Sequence, residues 1–208
     1  MKKLVILLIS LLLVGCSSVN ENDVFNRLDN TFSSYEKKVV RSNNNTKYYS
    51  YYLPSDIQEL DYDDSFHHFV FNASDFVMNL NVNGILCKEV FKTTPDDLFA
   101  SYKDYEIYRF DSDTDTKYSF ALYKDENNYF FSLITANMSY FGRTCLQDIE
   151  ALASHLLCVD NSISVDIDKV VDAYYIGTII DTSGKEPVDF YPHHIESNGL
   201  LENLFIDK

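Results

Sequence analysis

The chain predicts an α+β fold: an antiparallel β-sheet of about six to eight strands packed with an N-terminal helix and one or two C-terminal helices. Three observations predict it. Apolar residues recur every three or four positions near the start of the chain and again beyond residue 145. Between those stretches lie short runs rich in Tyr, Phe and Val, several of them alternating with polar residues. Polar, turn-forming clusters separate the runs by hairpin-sized gaps.

The elements follow in chain order. Val24, Leu28, Phe32, Tyr35 and Val39 predict an amphipathic helix over 23–40. Residues 42–46 are a polar break, and 47–53 a Tyr-rich strand stopped by Pro54. Residues 61–65 predict an acidic turn, and 66–71 a second strand. Phe76, Met78, Leu80 and Val82 alternate before Asn83-Gly84, a pair suited to a two-residue type I′ turn, so a hairpin to residues 85–90 is expected. Thr94-Pro95-Asp96-Asp97 has the order of an N-cap, a first-turn proline and two acids on the helix dipole. Strands are expected over 105–110, 117–123 and 128–136. Thr144-Cys145-Leu146-Gln147 fits a capping box opening a helix to about residue 159, with Leu146, Ile149, Ala153, Leu156 and Leu157 on one face. Ser164 is the candidate cap of a last helix, with Ile167, Val170, Val171 and Tyr174 inward. Beyond residue 177, Ile179-Ile180 is a candidate strand and 200–205 a helical turn. The spacing of these elements is loosely similar to PsbP/Mog1-like domains, a resemblance of layout that implies a fold and no activity.

The first sixteen residues carry the clearest functional signal. Lys2 and Lys3 precede an apolar stretch, 4–14, broken only by Ser10. It is too short for a bilayer core, which takes about 20 residues, and has the length of a signal-peptide core. Leu13-Val14-Gly15-Cys16 follows, and resembles the lipobox of bacterial lipoproteins. The resemblance implies a signal peptide over 1–15, cleavage between Gly15 and Cys16, and lipid on the Cys16 thiol. Residues 16–22 then form a lipid-anchored linker, and 23–208 a single α+β domain. The implied location is the extracytoplasmic face of the cell membrane. An ordinary secretory signal with a chance cysteine is the plainer alternative.

Composition narrows the partners. Removing Lys2 and Lys3 leaves 15 basic against 32 acidic side chains, a net charge of −17 on the mature chain. Nucleic acid binding needs a basic patch, so nucleic acid is not an expected partner. An acidic surface is repelled by anionic lipid, so acyl chains rather than a polybasic patch must hold the chain to a membrane. After lipidation of Cys16 three cysteines remain, Cys87, Cys145 and Cys158, an odd number that excludes a fully paired framework. Cys145 and Cys158 are expected on one helix, ~20 Å apart and unable to bridge.

The candidate chemistry is sparse. Asp111, Asp113 and Asp115 alternate as in an EF-hand loop, but Thr116 and Leu122 stand where Gly and Glu are needed. Residues 160–168 fail the same test at Val165 and Val171. His67-His68 and His193-His194, with Glu196, are metal candidates; on a strand the two members of a pair point to opposite faces. No HExxH, CxxC, GxSxG or GxGxxG occurs. Gly184-Lys185 lacks the other residues of a P-loop. Ser101-Tyr102-Lys103 and His155 with Cys158 have spacings that suit an activated nucleophile, and both also suit chance and burial. Tyr48, Tyr49, Tyr51, Tyr52, Tyr129, Phe130 and Phe131 put rings on both faces of two strands. Either the sheet is covered on both sides, or one aromatic face meets a glycan or protein.

The expectation is a non-catalytic binding or accessory module of the cell envelope, with no cofactor or metal and a protein, peptide or glycan partner. A cell-envelope hydrolase with a site assembled from distant residues is the alternative, and a solute-binding component of a transporter a further one. Cys16→Ser should abolish lipid labelling of the chain and leave the precursor uncut or the product released; unchanged labelling and membrane retention would refute the lipobox assignment.

Overall fold

The computed structural model describes residues 19–35, 39–87, 106–111, 119–125 and 128–179. Among these residues the fold is α+β, with a seven-stranded antiparallel sheet, a three-stranded sheet and four helices. The elements are α1 (Glu21–Ser33), β1 (Asn44–Asn45), β2 (Tyr49–Tyr51), β3 (Gln58–Tyr62), β4 (Phe66–Phe71), β5 (Ser74–Leu80) and α2 (Val82–Cys87). Then follow β6 (Glu106–Asp111), β7 (Ser119–Asp125), β8 (Asn128–Ile134), β9 (Met138–Cys145), α3 (Ile149–Ser162), β10 (Ser164–Val165) and α4 (Ile167–Tyr175). The large sheet has the order β3-β4-β5-β9-β8-β7-β6, and the small one β1-β2-β10. Among the described residues no helix is long and apolar enough to cross a membrane.

Helix α1 begins where Asn20 accepts the Asn22 amide at 3.0 Å, with Glu21 and Asp23 on the positive end of its dipole. Val24, Leu28 and Phe32 form its buried stripe. The helix ends at Ser33, short of the expected residue 40, and Val39 is fully exposed. The Ser33 and Ser34 hydroxyls both donate to the Asn30 carbonyl, the local competition that ends helices. Phe32 stacks on Phe120, ring centroids 4.8 Å apart, and Tyr35 donates to the Leu157 carbonyl at 3.1 Å. Helix α3 lies beside α1 on the same face, burying Ile149, Leu152, Ala153, Leu156 and Leu157.

The expected Asn83-Gly84 hairpin does not form. Residues 82–87 are helical, and β5 pairs with β9 rather than with residues 85–90. Asn81 decides this: its side-chain oxygen accepts the Gly84 amide at 2.8 Å, an N-cap, while its amide donates to the Thr135 carbonyl at 2.8 Å. Gly84 is needed for closeness, since a Cβ there would lie 2.4 Å from the Ala136 carbonyl oxygen. The true tight turn is Asn72-Ala73 between β4 and β5, where Asn72 takes a φ of 51°.

The capping box is also corrected. Thr144 belongs to β9, where its hydroxyl meets that of Ser74 on β5 at 2.8 Å. Helix α3 starts after Asp148, so Cys145 ends a strand and does not share a helix with Cys158. Ser164 lies in β10, and Asp166 caps α4 instead by accepting the Lys169 amide at 3.3 Å. Val170 and Ala173 face inward on α4; Ile167 and Tyr174 are exposed. Strand β3 begins at Gln58, so the acidic turn shrinks to residues 63–65. The expected helix after Pro95, the hairpin linker 112–116 and the elements beyond residue 179 lie outside the described residues.

The central strands β5, β7, β8 and β9 are buried on both faces, whereas edge strand β3 is largely exposed. Phe76, Met78, Leu80, Phe131, Leu133 and Tyr140 join the core under α1 and α3. Val77, Ala121, Phe130 and Phe141, alternating with them, are buried too. The rings of Tyr48, Tyr49, Tyr51, Tyr129, Phe130 and Phe131 are packed inside, and of the expected aromatic set Tyr52 alone is half-buried. Gly142 pairs with Phe76 in the middle of the sheet, and a Cβ there would lie 2.4 Å from both the Asp75 carbonyl oxygen and the Phe76 Cβ. Gly142→Ala should cost about 1–3 kcal/mol by overpacking, read as a lower denaturant midpoint at an unchanged slope.

Candidate functional site

A polar cleft of about 300 Å³ opens where the small sheet meets the β3 edge of the large one. Its walls come from residues 44–47 on one side and from Tyr51, Glu59, Tyr62, Asp63, Asp64 and His67 on the other. Local structure builds both walls. Thr46 folds the β1–β2 hairpin, its hydroxyl oxygen accepting the amides of Tyr48 and Tyr49 at 3.2 and 3.1 Å. Asp63 folds the β3–β4 turn, one carboxylate oxygen accepting the amides of Ser65 and Phe66 at 2.6 and 2.8 Å.

A β-bulge places the acid. Residues 59 and 62 of a regular strand would face opposite sides of the sheet. In β3 the register runs Glu59 to Phe69, then Asp61 to His68 and Tyr62 to His67, with the shift between Glu59 and Asp61. Leu60, half exposed, is the extra residue. Glu59 and Tyr62 therefore share the face of His67.

His67 sits at the centre with its ring buried. Phe69 and Tyr62 lie nearly parallel to it, centroids 5.6 and 5.9 Å away. Its Nδ1 is 2.5 Å from a Glu59 carboxylate oxygen, and the Tyr51 hydroxyl donates to that same oxygen at 3.1 Å. A carboxylate only accepts, so the imidazole proton lies on Nδ1 and Nε2 carries the lone pair. Nε2 is buried and has no hydrogen-bond partner among the described residues; the same holds for the Tyr49 hydroxyl. Burial pushes the His67 pKa down, and the pull of Glu59, Asp63 and Asp64 in the other direction does not offset it. Burial and the Glu59 charge push the Tyr51 phenol up, so it is a donor and not a nucleophile.

No protein-family model matches this sequence, and no curated protein does. The chemistry of the cleft must therefore be read from its atoms. A carboxylate that orients an imidazole suits a general base, but that base needs a reachable nitrogen, and the His67 Nε2 is closed to water. No group of three or more His, Cys, Asp or Glu among the described residues is arranged to hold a metal ion. What the walls offer is acceptors: three carboxylates against the single ammonium of Lys47, which lies 5.0 Å from the Tyr48 ring centre.

The other sequence candidates are separated by the fold. His67 and His68 point to opposite faces as expected, and His68 Nε2 meets the Asp75 carboxylate at 2.5 Å on the far side. His155 pairs with Asp56 at 3.0 Å and packs edge-on against Phe71. Cys145 donates its thiol hydrogen to Asp148 at 3.3 Å, and burial raises its pKa. Cys16, Ser101, Asp113, Asp115, Gly184, His193, His194 and Glu196 lie outside the described residues. Sequence reasoning does not find the Glu59–Tyr62–Asp64 wall; its one visible signal is an acidic turn directly before His67-His68.

His67 links stability to pH. Its unfolded pKa is about 6.5 and its folded value is lower, so in the window between them the unfolded chain binds more protons. The stabilisation is complete above the unfolded value and is lost as pH falls towards the folded one. Urea unfolding between pH 5 and 7.5 should show stability rising with pH, and His67→Gln should flatten that slope.

Proposed function

We propose that the chain is a lipid-anchored extracytoplasmic lipoprotein of the cell membrane whose folded part is a non-catalytic binding module. The anchor rests on Leu13-Val14-Gly15-Cys16 placed directly after an apolar leader. Two or more acyl chains hold a protein stably where one does not, so lipid on Cys16 would tether it without any membrane-spanning helix.

The binding role is carried by one observation: the acceptor-lined cleft at the β3–β4 edge. Glu59 is fixed by two donors, Asp63 is fixed by its turn, and the Tyr62 ring stands two-thirds exposed at the rim. Such walls suit a small ligand rich in N–H or O–H donors, or a positively charged segment of a peptide. Non-catalytic binding is favoured over hydrolysis because the cleft holds no activated nucleophile and its imidazole nitrogen is closed off.

A thermal-shift screen of the mature lipoprotein in detergent tests this, with amines, sugars, cell-wall fragments, basic peptides and Ca²⁺ in the panel. A ligand at 100 times its Kd adds about 2.7 kcal/mol, a rise in Tm of roughly 5–10 °C for a chain this size. Glu59→Gln and Asp64→Asn should each shrink the rise. A ligand whose shift survives both substitutions would place binding elsewhere, and turnover of any panel member would overturn the non-catalytic reading.

A further inference from the structure

We propose that the tether holds the β7–β8 end of the large sheet next to the membrane and presents the β3–β4 cleft on the far side, to partners arriving through the aqueous extracytoplasmic space. This rests on the reading of Cys16 as the lipidated residue; the geometry that sets the direction does not.

The start of α1 is locked to one corner of the sheet. Lys124 Nζ lies 2.8 Å from both Glu21 carboxylate oxygens, and the Tyr129 hydroxyl donates to one of them at 2.7 Å. Lys124 and Tyr129 are register partners, one pair from the end of the β7–β8 ladder at Asp125 and Asn128. Helix α1 then runs away from that tip: Phe25 packs on Tyr129 and Tyr108, whereas Phe32 stacks on Phe120, whose register partner on β8 is Leu133. Residues 16–20 span at most ~17 Å even fully extended, so the tip cannot stray far from the anchored sulfur.

The cleft lies at the diagonally opposite corner. Strand β3 is five places from β7 in the sheet order, ~24 Å at ordinary strand spacing. The register carries Leu133 across to Tyr140, Met78 and His67, five residues up β8 from Asn128. Asp64 lies in the turn beyond His67, past the end of the ladder register opposite the tip. Facing water, Glu59, Asp63 and Asp64 can draw a positively charged partner.

Energy transfer reads the direction. The purified mature lipoprotein would be placed in phosphatidylcholine vesicles carrying a headgroup-linked acceptor dye. A donor dye would be attached through an unnatural amino acid at residue 128 or, in a second sample, at residue 64; both positions are exposed. Transfer from residue 128 should exceed transfer from residue 64 by about twofold or more, since residue 128 sits at the tethered corner and residue 64 in the β3–β4 turn across the sheet, with β3 five places from β7, ~24 Å at ordinary strand spacing. Equal transfer, or more from residue 64, overturns the proposal. Inserting about 20 Gly and Ser residues between Ser18 and Val19 should lower both signals and erase the contrast. A contrast that survives the insertion would mean that a surface of the domain, not the tether, sets the direction, and would also overturn it. Mass spectrometry of Cys16 on the same samples reads the anchor separately: lipidated protein without contrast rejects the orientation alone, and unlipidated protein rejects the anchoring reading with it.

Discussion

The structure depends on the four central strands of the large sheet, β5, β9, β8 and β7, whose two faces are both withdrawn from water. That constraint shapes the sequence of each of them. Phe76, Val77 and Met78 run without a polar break, as do Tyr129, Phe130 and Phe131, and Tyr140 and Phe141. A strand with one wet face has alternate positions free for polar residues; these strands do not. Close packing follows from the same constraint. Gly142 exists where the Phe76 backbone passes too near for a side chain, and the buried hydroxyls of Ser74 and Thr144 satisfy each other across the β5–β9 pair.

How much of this is legible in the sequence depends on which forces are local. The strand over 66–71 forms where expected, and the α1 stripe forms as its periodicity predicts through Val24, Leu28 and Phe32 but ends before Val39. Asn83-Gly84 and Thr144 to Gln147 have the right letters for a turn and a cap, yet each motif names only what the backbone can do. Asn81 has a better use as a helix cap tied to Thr135, and Thr144 as a rung between β5 and β9. Strand β9 escapes periodicity for a related reason: Met138 to Phe141 is apolar or small at every position, and such a run lacks a period when both its faces are buried. Partners distant in sequence outvote local preference in each case.

The cleft is less legible still. His67-His68 stands out, and the opposite facing of the two rings follows from strand geometry. The bulge at Leu60 does not, and without it Glu59 and Tyr62 could not both reach His67. One inserted residue converts a strand edge into a wall. It also leaves an imidazole fully committed at one nitrogen and orphaned at the other, in a site where burial outweighs three nearby carboxylates.

The Glu21 contact has a mechanical side. Any pull on the residues before Asn20 enters the fold at the first turn of α1, against Lys124 and Tyr129. Such a load peels the helix off the sheet one turn at a time, through Val24, Leu28 and then Phe32, instead of shearing all the strand ladders at once. Peeling geometries yield at lower force than shearing ones, so the first thing to give under tension is the helix cover. The sheet, with the cleft at its far edge, stays hydrogen-bonded while the cover at the opposite corner begins to lift.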